Sequence, residues 1–133
     1  MSAEPALPIL IVDDDERLAK VIQFVLKRAS ITAHTVYSGQ AAFDWLRHHQ
    51  PAAIILDLMM PDISGFTFLR ELRANPVTQA VPVLVLTARA DQASRLRSES
   101  LGANDFLVKP VNSDTLVHHV REALNNAAPP AAA

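Results

Sequence analysis

Apolar residues along the chain collect in short runs that polar segments separate. Four runs stand out: 7–12 (LPILIV), 52–56 (AAIIL), 81–86 (VPVLVL) and 106–108 (FLV). Three of the four are continuous rather than alternating. Continuous apolar runs of this length are typical of strands that are buried on both faces, as in parallel sheets. A weaker run at 31–36, ITAHTV, alternates between apolar and polar residues and is predicted to be an edge strand.

Helical periodicity lies between these runs. One segment carries apolar residues at the i, i+3, i+4, i+7 and i+8 positions of a helix face: Leu18, Val21, Ile22, Val25 and Leu26. Similar faces occur within 39–49, 66–72 and 116–124, and Ser64 is a predicted N-cap. The segment 90–101 is the least apolar, because its candidates for burial are few: Ala93, Leu96 and Leu101. As a helix it would be lightly anchored.

Strands and helices therefore alternate along the chain, which predicts an α/β domain. Right-handed crossovers place helices on both faces of a parallel sheet, so we expect a doubly wound sheet of five strands. We expect one domain at 7–126, preceded by a tail at 1–6. The segment 127–133 contains only alanine and proline, cannot bury a core, and is predicted to be a tail or the start of a linker.

Composition narrows the classes of partner and chemistry. The chain has 133 residues and a net charge of -2, which predicts no electrostatic footprint for nucleic acid or for anionic lipid. It has no cysteine, which removes disulfides, zinc–thiolate sites and cysteine nucleophiles and fits a reducing cytosol. We see neither a secretory signal nor an apolar run long enough to span a membrane. The five histidines lack metal-ligand spacing and are predicted to be surface or edge residues.

Polar side chains follow four of the five predicted strands: Asp13, Asp14 and Asp15 after the first, Asp57 after the third, Thr87 after the fourth and Lys109 after the fifth. Ligands of open α/β sheets bind beyond the carboxyl ends of the strands, so these groups are expected to converge. Taken singly, each has a simpler interpretation. The segment 13–15 suits a helix start, and Asp57 suits a turn ahead of Pro61. Their convergence on one edge favours a site.

The chemistry of these groups suits phosphoryl transfer. Carboxylates at close range repel one another unless a cation joins them, and hard oxygen ligands suit Mg²⁺. A metal beside a carboxylate can neutralise an incoming phosphoryl group and orient it for in-line attack. The Lys109 ammonium and the Thr87 hydroxyl can both donate to phosphoryl oxygens. Since carboxylates are known nucleophiles for phosphoryl groups, the edge can form an aspartyl phosphate.

Four short motifs occupy these strand ends in order: VDDD (12–15), DLMMPDISG (57–65), LTA (86–88) and KP (109–110). Together they resemble the receiver domain of two-component response regulators, over roughly residues 7 to 126. The resemblance implies a flavodoxin-like (β/α)5 fold with strand order 2-1-3-4-5. It also implies a phosphorylatable signalling switch in the cytoplasm rather than an enzyme that turns over a metabolite.

The resemblance further implies a role for each residue of the motifs. Asp57 is the phosphoacceptor. Mg²⁺ binds the carboxylates of Asp14 and Asp57 and the backbone carbonyl of Met59, and Asp13 contributes through a water molecule. Thr87 and Lys109 hold the phosphoryl oxygens.

Two structural expectations accompany these roles. Thr87 moves toward the phosphoryl group, and Phe106 rotates into the space left behind, which reshapes the face of the fourth helix, fifth strand and fifth helix. The family is also known for a cis bond at the position of Lys109–Pro110, which is physically accessible for proline.

The implied partner is a sensor histidine kinase or phosphotransfer protein that donates the phosphoryl group. The same face suggests a homodimer, with four candidate contact residues: Arg95, Asp105, His119 and Arg121. In receivers that pair through this face, an arginine is expected at the position of His119, so the match is partial. No direct contact of this domain with nucleic acid or membrane is expected.

Two alternatives remain open from the sequence. One is a binding module with the receiver fold that is never phosphorylated, which the intact acidic, hydroxyl and lysine positions disfavour. The other is a small Mg²⁺-dependent phosphatase with Asp57 as nucleophile. Such enzymes usually carry a D-x-D motif and a cap domain, whereas this sequence reads D-L-M in 133 residues.

Overall fold

Five parallel strands form one sheet in a computed structural model that describes residues 7–126. The predicted tails at 1–6 and 127–133 lie outside the described residues. The strands are β1 (Ile9–Val12), β2 (Ala33–Val36), β3 (Ala53–Leu56), β4 (Val83–Thr87) and β5 (Asp105–Val108). Their order is β2-β1-β3-β4-β5, which confirms the predicted fold and topology.

Each strand is followed by a helix: α1 (Glu16–Arg28), α2 (Gly39–Leu46), α3 (Gly65–Ala74), α4 (Gln92–Ser100) and α5 (Ser113–Asn125). Every helix begins after a polar residue whose side-chain oxygen accepts a hydrogen bond from a backbone N–H three residues later: Asp15, Ser38, Ser64, Asp91 and Asn112. These caps satisfy amide groups that have no partner inside the helix. The prediction that Ser64 is an N-cap is confirmed.

The sheet separates two apolar layers, because successive side chains of a strand point to opposite faces. In β1, Leu10 and Val12 pack in the layer with α2 and α3, whereas Ile9 and Ile11 pack in the layer with α1 and α5. Burial on both faces is the reason that the strand sequences are continuously apolar. Only the last residue of β2, Val36, is buried, as expected of an edge strand.

The packing of two helices differs from the prediction. In α4, Ala93 and Leu96 are exposed, and the buried side chains are Ser94 and Ser98. The Ser98 hydroxyl donates to a backbone carbonyl of the preceding turn, so burial leaves it satisfied. In α1, Val21 is 52% exposed. The buried stripe of that helix centres on Ala19, Ile22 and Leu26, and at 3.6 residues per turn Val21 lies about a third of a turn away.

Among residues 7–126, no helix combines the length and apolar character needed to cross a membrane.

Candidate functional site at the carboxyl edge of the sheet

Two acidic residues lie side by side because their strands are neighbours in register. Val12 pairs with Leu56, so the residues that follow them, Asp13 and Asp57, leave the sheet together. The Asp57 N–H donates to the Val12 carbonyl at 3.0 Å. Asp13 is 3% exposed and Asp57 is 6% exposed, while Asp14 lies at the surface. One carboxylate oxygen from each of the three lies within 4.8 Å of the others.

Lys109 joins two of these carboxylates. Its Nζ atom lies 2.7 Å from Asp13 Oδ2 and 3.0 Å from Asp57 Oδ2. The backbone of Lys109 is held as well, because its N–H donates to the Thr87 carbonyl at 2.9 Å. The residue therefore reaches from the end of β5 across β4 to the acidic residues. The predicted convergence of strand-end groups is what the structure has.

Burial and direct contact shift the pKa values of Asp13 and Lys109. Burial raises the pKa of Asp13, against the hydrogen bonds that it accepts from Lys109 and from the Asp15 N–H. Burial also opposes the charge of Lys109, but hydrogen bonds from the ammonium to Asp13 and Asp57 outweigh it, so the pKa of Lys109 is raised. Lys109 therefore remains a cation. Three carboxylates against one ammonium leave an excess of negative charge.

The donor set fits a small divalent cation. Asp13, Asp14 and Asp57 offer hard oxygen atoms at one edge, and Mg²⁺ prefers such carboxylates together with water and phosphate oxygens. Asp57 Oδ1 accepts a hydrogen bond from the Met59 N–H at 3.1 Å, which turns the loop after β3 around the carboxylate. The Met59 side chain is 57% exposed at the mouth of the site.

The loop after β3 is held against the start of α3 by a close backbone approach. The Gly65 N–H donates to the Leu58 carbonyl at 2.9 Å. A Cβ atom at Gly65 would lie 2.5 Å from Leu58 Cα and 2.7 Å from the Asp57 carbonyl oxygen. Both distances are shorter than real Cβ atoms show, so the loop after β3 requires glycine here.

Asp62 was not singled out by the sequence, although it lies within the second motif. Its two carboxylate oxygens accept hydrogen bonds from the N–H groups of Gly39 (3.1 Å) and Gln40 (2.9 Å), at the start of α2. These contacts lower the pKa of Asp62. The partners are 23 and 22 residues away, so no local spacing indicates the contact.

The two predicted switch residues lie on neighbouring strands. Thr87 is fully buried, and its Oγ1 accepts a hydrogen bond from the Arg89 N–H at 3.2 Å. Phe106 is 6% exposed, and the guanidinium carbon of Arg95 lies 4.7 Å from the centre of its ring. The Lys109–Pro110 bond is cis, as the resemblance implied.

The four residues predicted for an interface divide into two groups. His119 Nδ1 lies 2.5 Å from Asp105 Oδ2, and Arg95 lies over the ring of Phe106, so these residues share one face. Arg121 Nη2 instead donates to the carbonyl of Ala29, just beyond α1. Residues two positions apart in a helix are separated by about 200° around its axis, which explains why His119 and Arg121 face different neighbours.

Comparison with known proteins decides the family. Residues 9–121 match the family described as the response regulator receiver domain. The chain belongs to this family. The phosphate regulon transcriptional regulatory protein PhoB of Rhizobium meliloti is 34% identical over 121 residues, which are 91% of this chain and 53% of that protein. Response regulator Rre1 of Synechocystis is 36% identical over 123 residues, which are 92% of this chain and 53% of that protein.

Solved structures agree with this assignment. The signal receiver domain of a signal transduction histidine kinase from Syntrophus aciditrophicus has a TM-score of 0.86 and 30% identity, covering 96% of this chain and 97% of that one. The BeF3-activated DrrB receiver domain has a TM-score of 0.81 and 26% identity, covering 92% of this chain and 100% of that one. The receiver domain spans about half the length of the curated relatives it matches. Its place in two-component signalling, as a switch rather than a turnover enzyme, follows from the family.

Proposed function

We propose that this receiver domain accepts a phosphoryl group on Asp57 from a phosphohistidine of a partner kinase or phosphotransfer protein. The observation that carries the proposal is the Lys109 ammonium, which contacts Asp57 Oδ2 at 3.0 Å and Asp13 Oδ2 at 2.7 Å. A cation held against the acceptor is placed to draw in a phosphoryl group. A carboxylate oxygen of Asp57 attacks phosphorus, the bond from phosphorus to the histidine nitrogen breaks, and the imidazole leaves as an acyl phosphate forms.

The residues around Asp57 divide the remaining work. Mg²⁺ would be held by the carboxylates of Asp13, Asp14 and Asp57 and by the Met59 carbonyl. When bound, it supplies charge neutralisation. Lys109 donates to a phosphoryl oxygen while keeping one carboxylate contact.

Thr87 is suited to sense the new group. Its hydroxyl now accepts from the Arg89 N–H, which leaves its proton free to donate to a phosphoryl oxygen. Its movement would give Phe106 room to rotate. Because Arg95 lies over the Phe106 ring, that rotation reaches α4.

The output that we propose is a change of the α4-β5-α5 face, which pairs two copies of the domain. Asp105 and His119 contact each other on this face, Arg95 lies over the Phe106 ring, and Arg121 contacts Ala29 beyond α1. We further propose that the domain spans 7–126, works in the cytoplasm, and controls an effector without contacting nucleic acid itself. Several relatives are transcriptional regulatory proteins of which this chain matches about half, which supports an effector of that kind.

The acceptor is tested by intact mass after incubation with acetyl phosphate, with and without Mg²⁺. Wild type is expected to gain one phosphoryl group only when Mg²⁺ is present, and Asp57→Asn none. Asp62→Asn is the matched control, because Asp62 lies in the same loop but bonds the amides of α2. It is expected to be phosphorylated. A folded wild type that gains no adduct and binds no beryllofluoride contradicts the proposal and favours a non-phosphorylated binding module.

The dimer is tested separately by sedimentation velocity of the Mg²⁺–beryllofluoride complex. A shift to a dimer that Asp105→Ala prevents is the expected result. A complex that stays monomeric at high protein concentration contradicts the dimer and leaves the acceptor untouched.

A further inference from the structure

The backbone of Arg89 contacts Thr87, and its side chain lies near the start of α3. Its N–H donates to Thr87 Oγ1 at 3.2 Å, which fixes the backbone of the loop after β4. Its guanidinium carbon lies 5.9 Å from the centre of the Phe66 ring. Phe66 directly follows Gly65, which packs against the Asp57 carbonyl. Arg89 therefore lies between Thr87 and the start of α3, which follows the loop that carries Asp57.

Asp91 holds this guanidinium in the present structure. Arg89 Nε lies 3.3 Å from Asp91 Oδ1, and both side chains are about half exposed (51% and 48%). The Ser94 amide and hydroxyl, with Arg89 adding to them, keep the pKa of Asp91 below its usual range. Asp91 is thus an anion at neutral pH. Since exposed pairs of this kind contribute little, Arg89 can exchange partners at small cost.

A phosphoryl group on Asp57 adds negative charge to an edge of the sheet that already holds three carboxylates. Lys109 is the ammonium that Asp13 and Asp57 already share. A phosphoryl group carries about -1.5 to -2 charges at pH 7 and adds three acceptor oxygens. A guanidinium matches such oxygens better than an ammonium does, because its planar N–H groups can bind two of them at once.

We infer that Arg89 is a phosphoryl-binding residue that Asp91 holds on α4 until the phosphoryl group on Asp57 takes its guanidinium. This inference rests on the proposed function of Asp57. Asp91 then acts as a competing anion that weakens phosphoryl binding in the resting domain.

The exchange also changes the start of α4. Asp91 caps this helix, since its carboxylate accepts from the Ser94 N–H and from the Ser94 hydroxyl, each at 2.9 Å. The side chains that α4 buries are two serines, so the helix depends on polar contacts more than the other four do. When Arg89 leaves, the cap remains but its charge is no longer paired. A negative charge appears at the start of α4, on the output side of the domain.

A double-mutant cycle of Arg89→Gln and Asp91→Asn tests the competition. The probe is Mg²⁺ with beryllofluoride, and binding is measured by calorimetry. Asparagine still caps a helix, so Asp91→Asn removes the charge and keeps the acceptor. It is expected to tighten binding about two- to fivefold, the range that an exposed ion pair supports. Arg89→Gln is expected to weaken binding by a similar factor, and the double variant to bind no tighter than Arg89→Gln alone.

Asp44→Asn is the matched control, because Asp44 is an exposed carboxylate that pairs with Arg47 on α2. It is expected to leave affinity unchanged. If Asp91→Asn tightens binding equally without Arg89, or if no variant changes affinity, the inference is overturned while the acceptor role of Asp57 stands. If wild type binds no beryllofluoride, the proposed function fails and the inference fails with it.

The Arg89 Nε–H resonance gives a second readout that a purely structural role would not move. It is assigned by its absence from Arg89→Gln, and it is expected to shift when Mg²⁺ and beryllofluoride are added to wild type. A resonance that keeps its position on ligand binding overturns the inference.

Discussion

Lys109 Nζ lies 3.0 Å from Asp57 Oδ2, although 52 residues separate the two along the chain. The contact exists because β3, β4 and β5 are consecutive strands of the sheet, so their carboxyl ends share one edge. Asp13 makes the second contact of the same ammonium, at 2.7 Å. Asp57, the proposed acceptor, is therefore held beside a cation, and the stability of the fold depends on contacts within the site.

Removal of this cation is expected to destabilise the domain. Lys109→Ala leaves Asp13 and Asp57 as neighbouring buried carboxylates, and loss of one partner of a buried pair costs several kcal/mol. We expect about 2 kcal/mol after allowance for the partly exposed ammonium. Urea unfolding at pH 7 measures it, with Lys20→Ala on the exposed face of α1 as the control.

The same variant carries a pH signature. Burial already raises the pKa of Asp13, and loss of Lys109 raises it further. Protonation removes the unpaired charge, so the deficit is expected to shrink as the pH falls, and added Mg²⁺ to restore part of it at pH 7. Equal free energies of unfolding for Lys109→Ala and Lys20→Ala would show that Lys109 does not stabilise the fold.

Gly65→Ala is expected to disturb the acceptor loop. The new Cβ atom would meet backbone atoms, Leu58 Cα at 2.5 Å and the Asp57 carbonyl at 2.7 Å, and backbone cannot yield as a side chain can. We expect a loss of about 2 kcal/mol, within the range for overpacking, and slower phosphorylation by acetyl phosphate.

Gly39→Ala is the comparison for this variant. Its Cβ atom would meet the Ile63 side chain rather than backbone, so a smaller loss of stability is expected. Equal losses for the two variants in urea unfolding would show that the backbone contact at Gly65 is not what limits the loop.

Asp62→Ala is expected to destabilise the domain by about 1 kcal/mol, as loss of a helix cap does. Two backbone N–H groups at the start of α2 lose their acceptor. The pKa of Asp62 is depressed below its ordinary value of 3.8, so its contribution is present above that pH and is lost as the pH falls through the folded-state pKa. The gap between wild type and Asp62→Ala should therefore be constant near neutrality and close in acid.

Urea unfolding across a pH series measures this gap. Asp44→Ala is the control, since Asp44 is an exposed carboxylate of α2 that contacts side chains rather than the helix start. A gap that widens in acid would contradict the lowered pKa of Asp62.

Arg73→Met is expected to cost about 2 kcal/mol, because it leaves partly buried carbonyls without donors. The Arg73 guanidinium donates to the carbonyls of Gly102 (2.7 Å) and Val81 (2.8 Å), the first before β5 and the second before β4. Burial lowers the pKa of Arg73. Arg70→Met, at an exposed position of α3, is the matched control and is expected to be near neutral in thermal unfolding. Equal melting temperatures would contradict this role.

The sequence was sufficient to place the strands and the polar residues that follow them. Continuous apolar runs occur because both faces of the sheet are covered, and that pattern is local. The polar residue after each run is local too, so Asp13, Asp57, Thr87 and Lys109 could be placed at one edge before their contacts were known. The family motifs then assigned them roles.

The buried face of α4 could not be predicted from hydrophobicity, because the side chains that it buries are serines. Ser94 and Ser98 satisfy their hydroxyl groups within the helix and its cap, so no apolar stripe marks the side that faces the sheet. Ala93 and Leu96 were expected inside on hydrophobicity alone, yet they are exposed. A period of apolar residues identifies a buried face only where burial depends on apolar contact.

By itself, the sequence determined the order of strands and helices, the apolar layers and the set of polar residues at the strand ends, since each depends on neighbours within a few positions. Tertiary structure alone decided the contacts that join distant segments: Lys109 with two carboxylates, Asp62 with the start of α2, and Arg89 with Asp91 over Phe66. Such contacts depend on which side chains meet when strands come together, and hydrogen-bond geometry at about 3 Å is not encoded in any local period.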